Sequence, residues 1–179
     1  MEKTIVLNAT GETITFIEPD GHSNGNVAMM IVTLPAHAEG PAMHRHVHQT
    51  EFFESLEGNL GIDYGDKSLV IKPGESFEVP KNTLHRFYST DGSALKFRAT
   101  FTPPLHIEYI LTEIFESCNR KSSKDPSVFD ACYVLRQARE EYFLGDVPIF
   151  VQKTIFPMTA FIGKVFGLIK AKSLSSGQS

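Results

Sequence analysis

Cysteine is nearly missing from this sequence. Only Cys118 and Cys132 occur in 179 residues, and they stand outside any C-x-x-C pair. They read as reduced, partly buried thiols of an intracellular protein, with a single disulfide between them as the other reading. Excess positive charge is missing too: 17 Lys and Arg against 21 Asp and Glu give a formal net charge of -4. The basic field that releases counterions from nucleic acid is therefore lacking, and nucleic acid is not an expected partner. No helix-turn-helix is evident. The opening MEKTIVLNATGETITF lacks the charged start, continuous apolar stretch and cleavage site of a signal peptide, so a cytoplasmic location is expected. Long apolar runs are lacking as well. The longest uncharged stretch of the most apolar segment, Thr154 to Gly163, falls far short of the roughly 20 residues that span a bilayer.

What is present begins with short β-rich runs from Thr4 to about Phe101: TIVLN, ETITFIE, VAMMIVTL, EFFESLEG, LGIDYG, SLVIKPG, ESFEVP, HRFYS and ALKFRATF. Turn signals recur at intervals of roughly 8 to 12 residues, which predicts an antiparallel sandwich or barrel. PDG, NGN, YGDK and STDG supply the breakers. The expected organisation is a mainly β, antiparallel barrel over 1–102, a helical extension over 103–172 that packs on the barrel or on a partner, and a disordered tail over 173–179. For Met29, Met30, Ile31 and Val32, parity alone leaves two inward registers open.

Beyond Thr102-Pro103-Pro104 the apolar period becomes helical. Ile107, Ile110, Leu111, Ile114, Phe115 and Cys118 share one face, with Glu108, Thr112, Glu113 and Glu116 on the other. Asp125-Pro126 predicts the start of a second helix reaching Leu144, with Val128, Cys132, Leu135 and Tyr142 as its buried stripe. A third apolar segment, 147–170, is predicted to be bent or divided by Pro157. It is expected to dock on protein, in a homodimer or on the barrel. Interfacial membrane contact through its phenylalanines, with Lys153, Lys164, Lys170 and Lys172 toward headgroups, ranks second.

Histidine is also scarce, with seven in the chain, yet His44, His46 and His48 lie within five positions. His44 and His46 leave the same face of a strand and can reach one ion together. Glu51 is five beyond His46, an odd offset that a continuous strand would throw to the opposite face. The chain must therefore turn through Val47-His48-Gln49-Thr50 into a new strand. Downstream, Pro80-Lys81-Asn82-Thr83 makes a tight connection, with asparagine accepting positive φ, and His85 starts the next strand. If that strand lies beside the first, His85 completes the set. His48 and Gln49 on the turn are expected to support the ligands from behind. Glu54 has outward parity and a solvated role, Ser55 shares the face of Glu51 and leaves space for ligand atoms, and Tyr64, Phe87 and Phe101 are expected to line a substrate pocket. His22, His37 and His106 receive no role.

This stretch resembles the first motif of the cupin superfamily, G…HxH, three or four residues, E, six residues, G: here Gly40, His44-Arg45-His46, Glu51 and Gly58. Gly74, Pro80 and His85 match the second motif, with Asn82 in place of its second glycine and Ser89 in place of its final asparagine. The resemblance covers about residues 4 to 101 and implies a jelly roll, dimer contacts and one divalent metal, iron(II) first, with manganese, nickel, copper or zinc as alternatives. Three imidazoles and one carboxylate leave a divalent ion a net charge of about +1, suited to a small anionic, enol or phenol substrate. The resemblance to oxygenase-type members implies a dioxygenase. A non-redox isomerase, cyclase, decarboxylase or dehydratase, and a binding or sensing barrel without turnover, stand as the other readings.

Overall fold

A computed structural model of the chain describes residues 2–18 and 26–174. His22, most of the PDG and NGN turn signals and positions 175–179 of the expected tail lie outside the described residues. The first strands, β1 (Lys3–Leu7), β2 (Glu12–Ile17) and β3 (Ala28–Leu34), alternate in burial as a half-buried sheet requires. Of the two registers left open by parity, Met30 and Val32 are the inward residues. The chain continues through β4 (His44–His46), β5 (Thr50–Glu57), β6 (Leu60–Tyr64), β7 (Lys67–Ile71), β8 (Ser76–Val79), β9 (His85–Ser89) and β10 (Leu95–Thr102). Helices α1 (Ile107–Lys121) and α2 (Val128–Gln137), strand β11 (Tyr142–Leu144) and helix α3 (Ile149–Val165) follow.

The strands form two antiparallel sheets, ordered β1-β2-β3-β10-β5-β8 and β11-β4-β9-β6-β7. This is the expected antiparallel barrel with C-terminal helices. Between the sheets sits an aromatic core: Phe53 and Phe97 are wholly buried, their rings 5.8 Å apart, and Phe87 packs 4.8 Å from Phe97. Each such side chain contributes roughly 1.5–3 kcal/mol by leaving water.

The helix α1 closes the β1 side of the barrel, adding Ile107, Phe115 and Cys118 to the same core. Asn119 fixes it there, accepting the Asn8 amide and donating to the Val6 carbonyl. Both cysteines are free and buried. Glu113, expected on the solvent face, is instead buried and accepts the Lys172 amide at 2.8 Å. Asp130 of α2 holds the amides of Lys170 and Ala171 in the same way. Two carboxylates thus tie the chain beyond α3 back onto α1 and α2.

The second helix departs most from expectation. Its N-cap position is Ser127, not Asp125, without a side-chain capping bond, and it stops at Gln137. Cys132 and Leu135 are buried as expected, whereas Val128 is exposed. Residues 142–144 leave the helical path because the edge of β4 offers them a hydrogen-bonded ladder, a tertiary gain that overrides local helix preference. The helix α3 is continuous across Pro157 and is not divided by it. Its inner side meets α2 through Ala160 and Gly163, where a Cβ on the glycine would lie 2.9 Å from the Phe129 ring. No helix among the described residues is long and apolar enough to cross a membrane.

Candidate metal centre

The odd offset between His46 and Glu51 has a simple structural meaning: the turn carries the chain from one sheet to the other. His44 and His46 stand on β4 and His85 on β9 in the five-stranded sheet, while Glu51 stands on β5 in the six-stranded sheet. His44 and His85 are register partners, so their rings lie on one face, 4.5 Å apart. Two backbone features set that pairing. Gly40 adopts φ +73°, and a Cβ there would lie 2.3 Å from the Phe87 carbonyl oxygen, so only glycine lets the approach to β4 lie on β9. Asn82 adopts φ +60° as expected, and its amide donates to the His46 carbonyl at 2.6 Å.

All four side chains are at least 95% buried, and their donor atoms lie within 4.8 Å of one another. Each imidazole turns Nδ1 toward an oxygen: His44 toward Ala42 O at 2.8 Å, His46 toward Gln49 Oε1 at 3.0 Å and His85 toward Thr83 O at 2.9 Å. These oxygens only accept, so each Nδ1 carries a proton, which leaves Nε2 as the ring atom that a metal ion would take. The Nε2 atoms of His85 and His46 lie 2.8 and 3.4 Å from Glu51 Oε2. A proton on His85 Nε2 bridges to Glu51 in the metal-free chain, and a divalent cation between the same atoms would replace it. The donor set fits such an ion.

The titration behaviour has the same origin. Burial, reinforced by His85 and His46, pushes His44 down to about 3, so it stays a neutral donor. Burial opposes protonation of His85, but the hydrogen bond and charge of Glu51 outweigh it and raise the imidazole above its ordinary value. Burial alone would raise Glu51. The hydrogen bonds from His46 and His85 prevail and hold it below the usual carboxylate range.

Of the residues expected around the ligands, Gln49 is buried and does more than accept from His46. Its Nε2 donates to the carbonyls of Pro103 and Pro104, at 3.0 and 2.7 Å, anchoring the turn to the end of β10. His48 is exposed on the turn and is not brought to the cluster. Phe101 is the register partner of Glu51 and packs 5.2 Å from His46. Tyr64 is the register partner of His85 and packs on Phe77. Phe87 lies one layer deeper, within the aromatic core. Ser55 spends its hydroxyl on the Gly58 carbonyl at 2.8 Å, at the other end of β5, away from the cluster. Glu54 pairs with Arg98 at 2.7 Å on the outer face. A polar surface groove of about 570 Å³, lined in part by Asp63, Lys67, Arg86 and Asp146, includes none of the four donors. Chemistry rather than hollow volume marks the site.

Sequence reasoning missed Tyr142. It stands on β11 opposite His46, stacks on His44 at 5.1 Å and meets the edge of His46 at 5.3 Å. Burial, then the Glu51 charge, raises its phenol well above the ordinary range. Glu141 beside it bonds His106 at the start of α1, a histidine given no role from sequence. The signal that was available is the run Tyr142-Phe143-Leu144, β-prone residues ending at Gly145.

A family profile described as "Cupin domain" matches residues 30–102. A protein named oxidoreductase OpS7 from Beauveria bassiana is 32% identical over 78 residues, covering 40% of this chain and 26% of that protein. The uncharacterized protein YdbB of Bacillus subtilis is 46% identical over 44 residues, covering 24% of this chain and 39% of that protein. The chain thus spans about a quarter and two fifths of the lengths of these curated relatives. A cupin-2 domain from Rhodospirillum rubrum superposes with a TM-score of 0.49 at 12% identity, covering 56% of this chain and 69% of that one. The profile match falls on the strands that carry all four donors, so residues 30–102 of this chain match the cupin domain family.

Proposed function

We propose that the chain is a metal-dependent oxidoreductase of the dioxygenase type, with iron(II) as its first metal, acting on a small anionic, enol or phenol substrate. The observation that carries this reading is the gathering of three imidazoles and the Glu51 carboxylate, all buried, with donor atoms within 4.8 Å of one another and each ring held by an acceptor at Nδ1. The oxidoreductase name of the Beauveria bassiana relative supports the redox class. An iron(II) ion held there would supply redox chemistry toward dioxygen and a Lewis-acidic contact for substrate.

The chain's own groups supply the rest. His44, His46, Glu51 and His85 would hold the ion, and one carboxylate against a divalent charge favours an anionic substrate oxygen in a buried setting. Phe101 and Tyr64 exclude water from two sides. Tyr142 offers a protonated phenol next to His44 and His46, suited to donate a hydrogen bond to a substrate oxygen and orient it.

Elemental analysis of protein purified without added metal, followed by oxygen-uptake assays over a panel of enols and catechols, tests the proposal. Iron near one equivalent with substrate-dependent uptake is the expected result. Zinc without uptake would assign the barrel to non-redox isomerase or lyase chemistry, and protein without metal to binding or sensing. His46→Ala is expected to lose most of its metal while keeping its circular dichroism spectrum. Undiminished metal in that variant overturns the ligand assignment.

A further inference from the structure

The outer side of α3 is an apolar surface with nothing packed on it among the described residues. Phe150, Ile155, Met158, Phe161, Ile162 and Val165 are all exposed, Phe150 by 73% and Phe161 by 65%. At 100° per residue they fall in one arc, opposite the buried Gln152 and Gly163. The stripe continues past the helix end through the exposed Phe166 and Leu168. Single exposed apolar side chains are ordinary, whereas a contiguous stripe of this kind marks a surface that is covered in use.

The charge around the stripe identifies the cover. Asp146 is the last acidic residue of the sequence, and Lys153, Lys164, Lys170 and Lys172 follow it without one counter-charge. All four lysines are exposed, in a chain whose net charge is -4. Lys153 and Lys164 are eleven residues apart, three helical turns, so they line the same flank of the apolar arc. A second copy docked through this arc would bring lysines and no carboxylate from the segment. An anionic lipid surface brings an apolar boundary for the phenylalanines and phosphates for the lysines. We propose that α3 lies flat on an anionic lipid bilayer, its apolar arc at the acyl boundary and its lysine flank at the headgroups. A helix of this length, about 25 Å, is suited to lie along the surface.

Flotation of the full chain with vesicles of phosphatidylcholine alone, and of phosphatidylcholine mixed with phosphatidylglycerol, tests the proposal, with circular dichroism monitoring the fold. Wild type is expected to float with the mixed vesicles and to leave them as salt is raised. Lys153→Gln with Lys164→Gln should weaken partitioning by about fivefold per lysine while leaving the apolar arc intact. Phe150→Glu with Phe161→Glu should abolish it. Absence of flotation, or equal flotation with both vesicle types, overturns the assignment. A dimer in light scattering that the Phe→Glu pair disperses, with no vesicle binding, would give the face to a second copy.

Discussion

At the scale of single residues, the buried Gln49 and the half-buried Glu12 behave as two kinds of polar group. Gln49 spends every polar atom, on His46 and on two proline carbonyls, so its value lies in fixing one imidazole. Gln49→Leu is expected to weaken metal affinity by about 10–100-fold, measured by competition with a chromophoric chelator, while the far-ultraviolet spectrum stays as in wild type. Glu12 has the opposite character: burial pushes its carboxyl up to about 7 from 4.5. Below pH 4.5 the group is protonated in both folded and unfolded chains and costs nothing. Between pH 4.5 and 7 only the unfolded chain releases the proton, so stability falls, and above pH 7 the cost is constant. Glu12→Gln should therefore stabilise by roughly 2 kcal/mol at pH 8, about 5 °C in Tm, and by nothing at pH 4. Thermal scans across pH would show a gap that widens through this window, and a gap of constant width would refute the assignment. Sequence parity was enough to place His44, His46 and Glu51, because side-chain direction on a strand alternates. It said nothing of the Nδ1 acceptors, two of which are backbone carbonyls with no residue-type signature. Ser55 shares the buried face of Glu51 as parity requires, but parity gives no distance along the strand, and its hydroxyl is spent on Gly58.

At the scale of elements, the histidine-bearing strand β4 depends on β11. It meets β9 at the single register pair His44 and His85, but it meets β11 at three positions. Flanking backbone bonds, Val47 N–H to Glu141 O at 2.7 Å and Gly145 N–H to Met43 O at 2.6 Å, close both ends of that ladder. A Cβ at Gly145 would lie 2.7 Å from Leu84 Cδ1 and 2.9 Å from Met43 Cβ. Gly145→Val is expected to lever β11 away from β4 and destabilise the chain by about 2 kcal/mol. Amide exchange should quicken at Val47 and His46 while the β1–β2 hairpin keeps its protection. Equal protection throughout would show that β4 holds itself. Long amphipathic patterns such as that of α1 were legible because the period repeats over several turns. The three-residue β11 was not legible, because a short β-prone run acquires its meaning only from the strand edge that receives it. Glu113 shows the same limit: its partner is a backbone amide 59 residues away.

At the scale of the whole molecule, the candidate centre draws on both sheets and, through Tyr142, on the C-terminal segment. An ion bound there links parts of the chain that unfolding separates, so its binding energy adds to folding stability. At a free metal concentration a hundred times Kd the gain is about 2.7 kcal/mol. Removal of metal with a chelator should lower Tm by roughly 5–10 °C, and His46→Ala should show no such response. An unchanged Tm on chelation of wild type would detach the four residues from any structural ion.

The order of the strands carries a consequence for biosynthesis. While the chain leaves the ribosome, β4 emerges almost one hundred residues before Tyr142, the start of its outer neighbour. Throughout that interval the nascent barrel presents a bare strand edge, open to pairing with other chains. Truncated translation products ending before Tyr142 are the species that chaperones would have to shield.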